Sequence, residues 1–323
     1  MITRYEQIVD VTKIGQYRNI SMNEIFQLAS NEKISKAGSD RIKRLILCID
    51  VQKDFMECIK PLGFDQNNKE DLRNSMFKEG ALAVPGSIGD VERITRFIYN
   101  NLEDITNIIC SLDTHSPQQI FHPCWWEDQD GNHPKPYTII TYEDVINGLW
   151  KPVIGKEKKS IKYLNHLQKN GKKQLCIWPY HCIVGTDGAS LENEFSKMVY
   201  FHSTARNVKN RMVIKGKDPY TEMYGIIQPE YNYKDYINYK VLDAIQESDE
   251  VYVVGEAASH CVLESVKQII FYFAKRNDVR QKITVLTDCM SCIPGYEGIT
   301  TKEFETLERE WGIRLTKSTE IYF

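Results

Sequence analysis

The chain has 323 residues, 42% of them apolar, and a net charge of -3. That suits one large α/β domain or two smaller ones, and Lys and Arg are spread too evenly to make a case for nucleic acid. No apolar run approaches the roughly 18 residues that span a bilayer, no signal-like region opens the chain, and nine cysteines fit no tidy disulfide framework. The expectation is a cytoplasmic protein with reduced thiols and no membrane partner.

Residues 1–42 read as an appended arm with one short helix. Ser21-Met-Asn-Glu24 offers a capping box there, and Ile25, Leu28 and Ala29 an apolar stripe. The main domain is expected over 43–323, with inserts near 57–80 and 118–150. Its first strand is the apolar run Arg44-Leu-Ile-Leu-Cys-Ile-Asp50. A helix follows Pro85-Gly-Ser and carries Val91, Ile94, Phe97 and Ile98. Asn107 to Leu112 gives a second strand that ends at Asp113. The segment 118–150 is too long for a plain crossover and reads as a lid, an insert or a contact surface. Trp125 and Trp126 could cap a pocket or bury the insert against the domain. Then come a helix over Lys156–Leu167, a third strand over Gln174–Trp178, a helix over Leu191–Val199 and a fourth strand over Arg211–Lys215. A helix within Tyr233–Ile245 precedes the strand that starts at Val251. Cys261 begins the next helix, Lys282–Thr287 is the sixth strand, and Thr301–Trp311 is the closing helix. The last residues could add an edge strand.

Strands alternating with helices imply a doubly wound, mostly parallel six-stranded sheet in a three-layer α/β/α domain. Sites in such folds gather at the carboxyl ends of the strands. Asp50, Asp113, Lys215 and Cys261 all fall at or just past strand ends, which tells more than any one of them. A thiol at a strand-to-helix turn can use free N–H groups and the helix dipole to favour its thiolate. A lone Asp113-x-His115 reads as a hydrogen-bonded loop, and Lys215 alone is as readily a surface lysine as a site residue.

Four motifs, in order, resemble those of the isochorismatase-like cysteine hydrolases, most closely the nicotinamidases. They are Asp50-Val-Gln-Lys-Asp-Phe55, Asp113-Thr-His115, Trp178-Pro-Tyr-His-Cys-Ile-Val-Gly-Thr186 and Gly255-Glu-Ala-Ala-Ser-His-Cys261. The resemblance spans about residues 43 to 295. It implies Cys261 as nucleophile, Asp50 as general acid and base, and Lys215 as its partner. It also implies a cis Glu256–Ala257 peptide and an oxyanion site at the amides of Ala257 and Cys261. One divalent ion is expected on Asp113, His115 and His181, with Zn ahead of Fe or Mn and His122 as a fourth candidate ligand. Phe55 and Trp178 are expected to stack on a planar substrate.

The function implied is hydrolysis of a small-molecule amide, nicotinamide first. Another amide, such as an N-carbamoyl or ureido compound, is the first alternative, and an inactive binding or scaffold protein on the same fold is the second. A homo-oligomer stays open.

Overall fold

The run Leu45-Ile-Leu-Cys-Ile49 has no polar face to offer water, so it must be covered on both sides. In the computed structural model, which describes residues 1–16, 21–57, 79–153 and 155–323, it forms β1 (Arg44–Ile49), buried throughout. Ahead of it lies α1 (Met22–Ser30). After it come α2 (Ser87–Asn100), β2 (Asn107–Asp113), α3 (Glu157–Lys169), α4 (Asn193–Ala205), β3 (Arg211–Lys215), α5 (Tyr239–Glu247), β4 (Glu250–Gly255), α6 (Leu263–Tyr272), β5 (Ile283–Leu286), α7 (Glu297–Trp311) and β6 (Arg314–Thr316).

The six strands form one sheet in the order β6-β5-β4-β1-β2-β3, every neighbouring pair parallel. The chain winds outward from β1 through β2 to β3, returns to β4 beside β1, and winds the other way to β6. Right-handed crossovers then place helices on opposite faces. Accordingly α1 and α2 pack on α4, while α7 packs on α6. The winding reverses at β1, which opens a crevice at the carboxyl ends of β1, β2 and β4.

Several expectations need correction. The segment 174–178 is not a strand of this sheet. Its Leu175–Cys176 pairs antiparallel with Ile139–Ile140 in a separate ribbon. No slot exists for it, because β3 occupies the flank of β2, with Asp113 in register with Lys215. The sixth strand is instead β6, from the expected edge segment. The Ser21 side chain makes no capping hydrogen bond. Residues of the arm are not merely appended: Tyr5, Ile8, Val9, Ile14, Ile25 and Ala29 are buried in the main apolar core. Glu192, at the head of α4, accepts the Gly15 amide at 3.1 Å. The insert near 57–80 lies largely outside the described residues. Among the described residues no helix is long and apolar enough to cross a membrane.

Candidate active site

Each strand end delivers one functional group to the crevice. Asp50 follows β1 with a left-handed backbone, φ 46°. Its amide donates to Ser111 Oγ at 3.0 Å, and Ser111 Oγ donates back to Asp50 Oδ1 at 2.6 Å. The other carboxylate oxygen faces Lys215 Nζ at 2.9 Å. Lys215 also reaches Asp113 Oδ1 at 3.1 Å, donates to the Met223 carbonyl at 3.1 Å, and lies 3.7 Å from Cys261 Sγ. Lys215 and Asp50 are fully buried. Oxygens of Asp50 and Asp113 and the Cys261 sulfur all lie within 4.8 Å of one another.

Burial would discharge Lys215, but Asp113 and Asp50 outweigh it and hold its pKa well above the ordinary value. Burial raises the Asp50 carboxyl, with Lys215 opposing. That suits a group that must both take and return a proton. Cys261 departs from the sequence expectation in two ways. It does not begin the helix: it sits inside a wide π turn, Ala258–Val262, that runs into α6. And its thiol is not acidified. Burial pushes its pKa well above the usual value, and although Lys215 opposes this, Asp50 and Asp113 reinforce it. The resting group is therefore a thiol that needs a base beside it.

The ion-binding candidates come together as expected. Donor atoms of Asp113, His115 and His181 lie within 4.8 Å of one another, all buried. Asp113 Oδ2 is 3.0 Å from His115 Nε2 and 3.8 Å from His181 Nε2. The outer nitrogens are engaged, His115 Nδ1 with the Gly216 carbonyl at 3.1 Å and His181 Nδ1 with the Pro179 carbonyl at 2.8 Å. That fixes the tautomer and turns both Nε2 lone pairs inward, the usual preparation of histidine ligands. His115 Nε2 is buried and, among the described residues, meets only the Asp113 carboxylate. Three buried donors of this type, converging on one another, fit a borderline divalent ion. His122 is adjacent but outside this compact set: its ring centroid is 6.0 Å from that of His115 and 6.1 Å from that of His181. Its Nδ1 bonds to the Pro117 carbonyl at 3.0 Å, and its Nε2 is buried without a partner. Burial, with His181 and His115 nearby, lowers its pKa to about 3, so it is a neutral donor in waiting.

Backbone pairing locks these loops together. His115 donates its amide to the Cys182 carbonyl at 3.0 Å and accepts from Val184 at 2.9 Å. Gln52 clamps the end of β2: its Nε2 donates to the Asp113 carbonyl at 2.8 Å and its Oε1 accepts the Asp113 amide at 2.7 Å.

The cavity over the thiol is lined by Phe55, Trp178, Tyr224, His260, Ala257 and Ile293 among others, and its volume is about 20 Å³. That is room for about one water, so a substrate ring enters only as lining side chains shift. Phe55 meets His181 edge-on at 5.7 Å, and Trp178 meets His260 edge-on at 5.4 Å. The Glu256–Ala257 peptide is cis, and the Ala257 amide has no acceptor among the described residues. A larger cavity of about 330 Å³ shares Lys215 and Met223 with this region but not Cys261, Asp113 or His181. Trp125 and Trp126 do not cap the pocket. Both are buried, with Trp125 Nε1 donating to Ser160 Oγ at 2.9 Å and Trp126 Nε1 to the Ile120 carbonyl at 2.6 Å.

Sequence reasoning missed Ser111, Gln52, Tyr224 and Glu222. Glu222 lines the cavity, and burial raises its carboxyl to about 7. Gln52 and Glu222 had a usable signal, since Gln52 lies within the Asp50 motif and Glu222 lies soon after Lys215.

No protein-family model matches the chain, and no curated protein matches it in sequence. Solved structures do. Yeast nicotinamidase Pnc1p superposes with a TM-score of 0.54 at 21% identity, covering 85% of this chain and 99% of that one. An Acinetobacter nicotinamidase–pyrazinamidase gives 0.53 at 16% identity, covering 88% and 100%. The chain shares the isochorismatase-like α/β fold of these structures.

Proposed function

We propose that the protein is a metal-assisted cysteine amidohydrolase that converts nicotinamide to nicotinate and ammonia. The observation that carries this reading is that the Asp50–Lys215–Cys261 cluster adjoins the Asp113–His115–His181 donor set through Asp113, beside a cavity lined by Cys261, Asp113 and His181. The folds of two nicotinamidases support it, and the yeast protein has been solved with the inhibitor nicotinaldehyde.

The chemistry follows from the contacts. Asp50 takes the Cys261 proton as sulfur attacks the carboxamide carbon. Lys215, between the two, holds Asp50 in place and offsets the thiolate charge. The amides of Ala257 and Cys261 stabilise the oxyanion. Asp50 then gives its proton to the departing nitrogen, releasing ammonia and leaving a thioester. Water attacks that carbonyl, Asp50 takes its proton, and the acid leaves as the thiol is restored. An ion held by Asp113, His115 and His181 would supply a Lewis-acid anchor for the ring nitrogen. Phe55 and Trp178 supply flat apolar walls.

Ammonia release from nicotinamide by metal-supplemented protein, beside Cys261→Ala and a panel of N-carbamoyl and ureido compounds, tests the reading. Nicotinamide should be the preferred substrate, and Cys261→Ala should be inactive while folded. Preference for an N-carbamoyl compound would overturn the substrate and keep the hydrolase. No ammonia from any amide would leave a binding protein. Full metal stoichiometry in His181→Ala would overturn the ion site.

A further inference from the structure

A second acidic pair lies apart from the proposed ion site. Asp90 belongs to the first turn of α2, and Glu256 directly precedes Ala257. Both are buried, at 1% and 0% exposure. Arg93 Nη2 donates to Asp90 Oδ1 at 2.7 Å, and the Ser291 amide donates to Glu256 Oε2 at 3.4 Å. The remaining oxygens, Asp90 Oδ2 and Glu256 Oε1, meet no donor. Yet the two carboxyl groups lie within hydrogen-bonding reach of each other. Two bare carboxylates at that range, out of water, repel strongly. One proton between them satisfies both orphan oxygens at once.

The location gives the pair a job. The Glu256 amide donates to the Ile49 carbonyl at 2.8 Å, and the Ala258 amide donates to the Ser291 carbonyl at 2.7 Å. The nucleophile turn is thus tied by its backbone to the end of β1 and to the loop after β5. A contact between Asp90 and Glu256 ties it to α2 as well. We propose that Asp90 and Glu256 share one proton, and that this acid–acid hydrogen bond positions the Ala257 amide toward the cavity. Burial raises both carboxyls; the Ser291 hydroxyl and Arg93 favour an ionised Asp90, which leaves the single proton on Glu256. Among the described residues Arg93 is the only cation facing the pair. Cys289 and Cys292, after β5, are raised by burial and stay neutral. The positioning role rests on the amidohydrolase reading; the shared proton does not.

The test compares wild type with Glu256→Gln, whose amide donates to Asp90 at every pH. Infrared difference spectra at neutral pH should show a protonated-carboxyl band that Glu256→Gln lacks. In the pH profile of kcat, wild type should lose activity as alkali strips the shared proton, and Glu256→Gln should keep it at least one pH unit further, with KM unmoved. At neutral pH that variant should stay within about threefold of wild type, since the donor to Asp90 is retained. Glu256→Leu strands Asp90 and should lose about 10- to 100-fold in kcat through misplacement; if it fails to fold, Glu256→Gln decides alone. An unchanged carboxyl band in Glu256→Gln overturns the shared proton. Superimposable pH profiles overturn the positioning role. If no amide is hydrolysed at all, the band still reports the proton.

Discussion

Replacing Lys215 with Met removes a charge and keeps most of the stem. The lysine is fully buried between Asp50 Oδ2 at 2.9 Å and Asp113 Oδ1 at 3.1 Å, and among the described residues no other cation pairs with both acids. Breaking a buried ion pair on one side costs about 3–5 kcal/mol, because the partner is left charged and dry. For a chain this long, that is roughly a 5–15 °C fall in Tm. The acids can escape part of this penalty by binding protons, which fixes the sign with pH. Without Lys215 the folded-state pKa of Asp50, already raised by burial, rises further above its unfolded value, and Asp113 keeps only His115 and His181 to hold it low. Stability from a group raised in this way is fully present below the unfolded pKa and is lost as pH rises. The Tm gap between wild type and Lys215→Met should therefore be large at pH 8 and narrow toward pH 5. Thermal melts on chelated protein across that range read it directly. Turnover should fall by roughly 10²–10⁴, since a protonated Asp50 cannot take the thiol proton. A Tm gap that stays constant, or widens on acidification, would refute the claim that Lys215 neutralises this acid pair.

Further outcomes follow from packing and titration. Gly216 has φ +74°, and a Cβ there would stand 2.5 Å from Asp113 Oδ1 and His115 Cε1, so Gly216→Ala should lower metal content and turnover together, checked by metal analysis. Trp125→Ala should cost about 3–5 kcal/mol, as for other buried aromatics, and leave KM and substrate range unchanged; an altered KM would restore a lid role. His202 is buried with its Nε2 against the Ile105 carbonyl at 2.9 Å, and burial lowers its pKa to about 4. Its depressed pKa adds stability above the unfolded value that is lost as pH falls from about 6.5 to 4, roughly 3 kcal/mol in all. Differential melts should show that His202→Gln flattens that acid slope.

Much of the site was legible because the strands of this sheet are marked by unbroken apolar runs. Where Leu45–Ile49 or Val251–Val254 stops, the first polar group must sit at a strand end. The resemblance then paired groups more than two hundred residues apart, which no local signal could do. The segment 174–178 misled because a short apolar run bounded by polar residues looks alike in a ribbon and in a sheet. Only the register of β3 against β2 excludes it. Ser111 was invisible for another reason: its role comes from facing Asp50 across two neighbouring strands, a cross-strand fact. For the tryptophans of the insert, size and chain position cannot tell a wall from a core, and only the packing decides.

Lys215 closes β3, and β3 is an edge strand with a single neighbour. Its Arg211 and Ile214 are exposed, whereas β1 and β4 are covered on all sides. Edge elements with few buried contacts open at lower free energy than the core. The cation that joins Asp50 and Asp113 is thus mounted on an edge of the sheet. Loss of activity under mild denaturant should then precede loss of the fold, with a peeled margin disarming a centre that is otherwise intact.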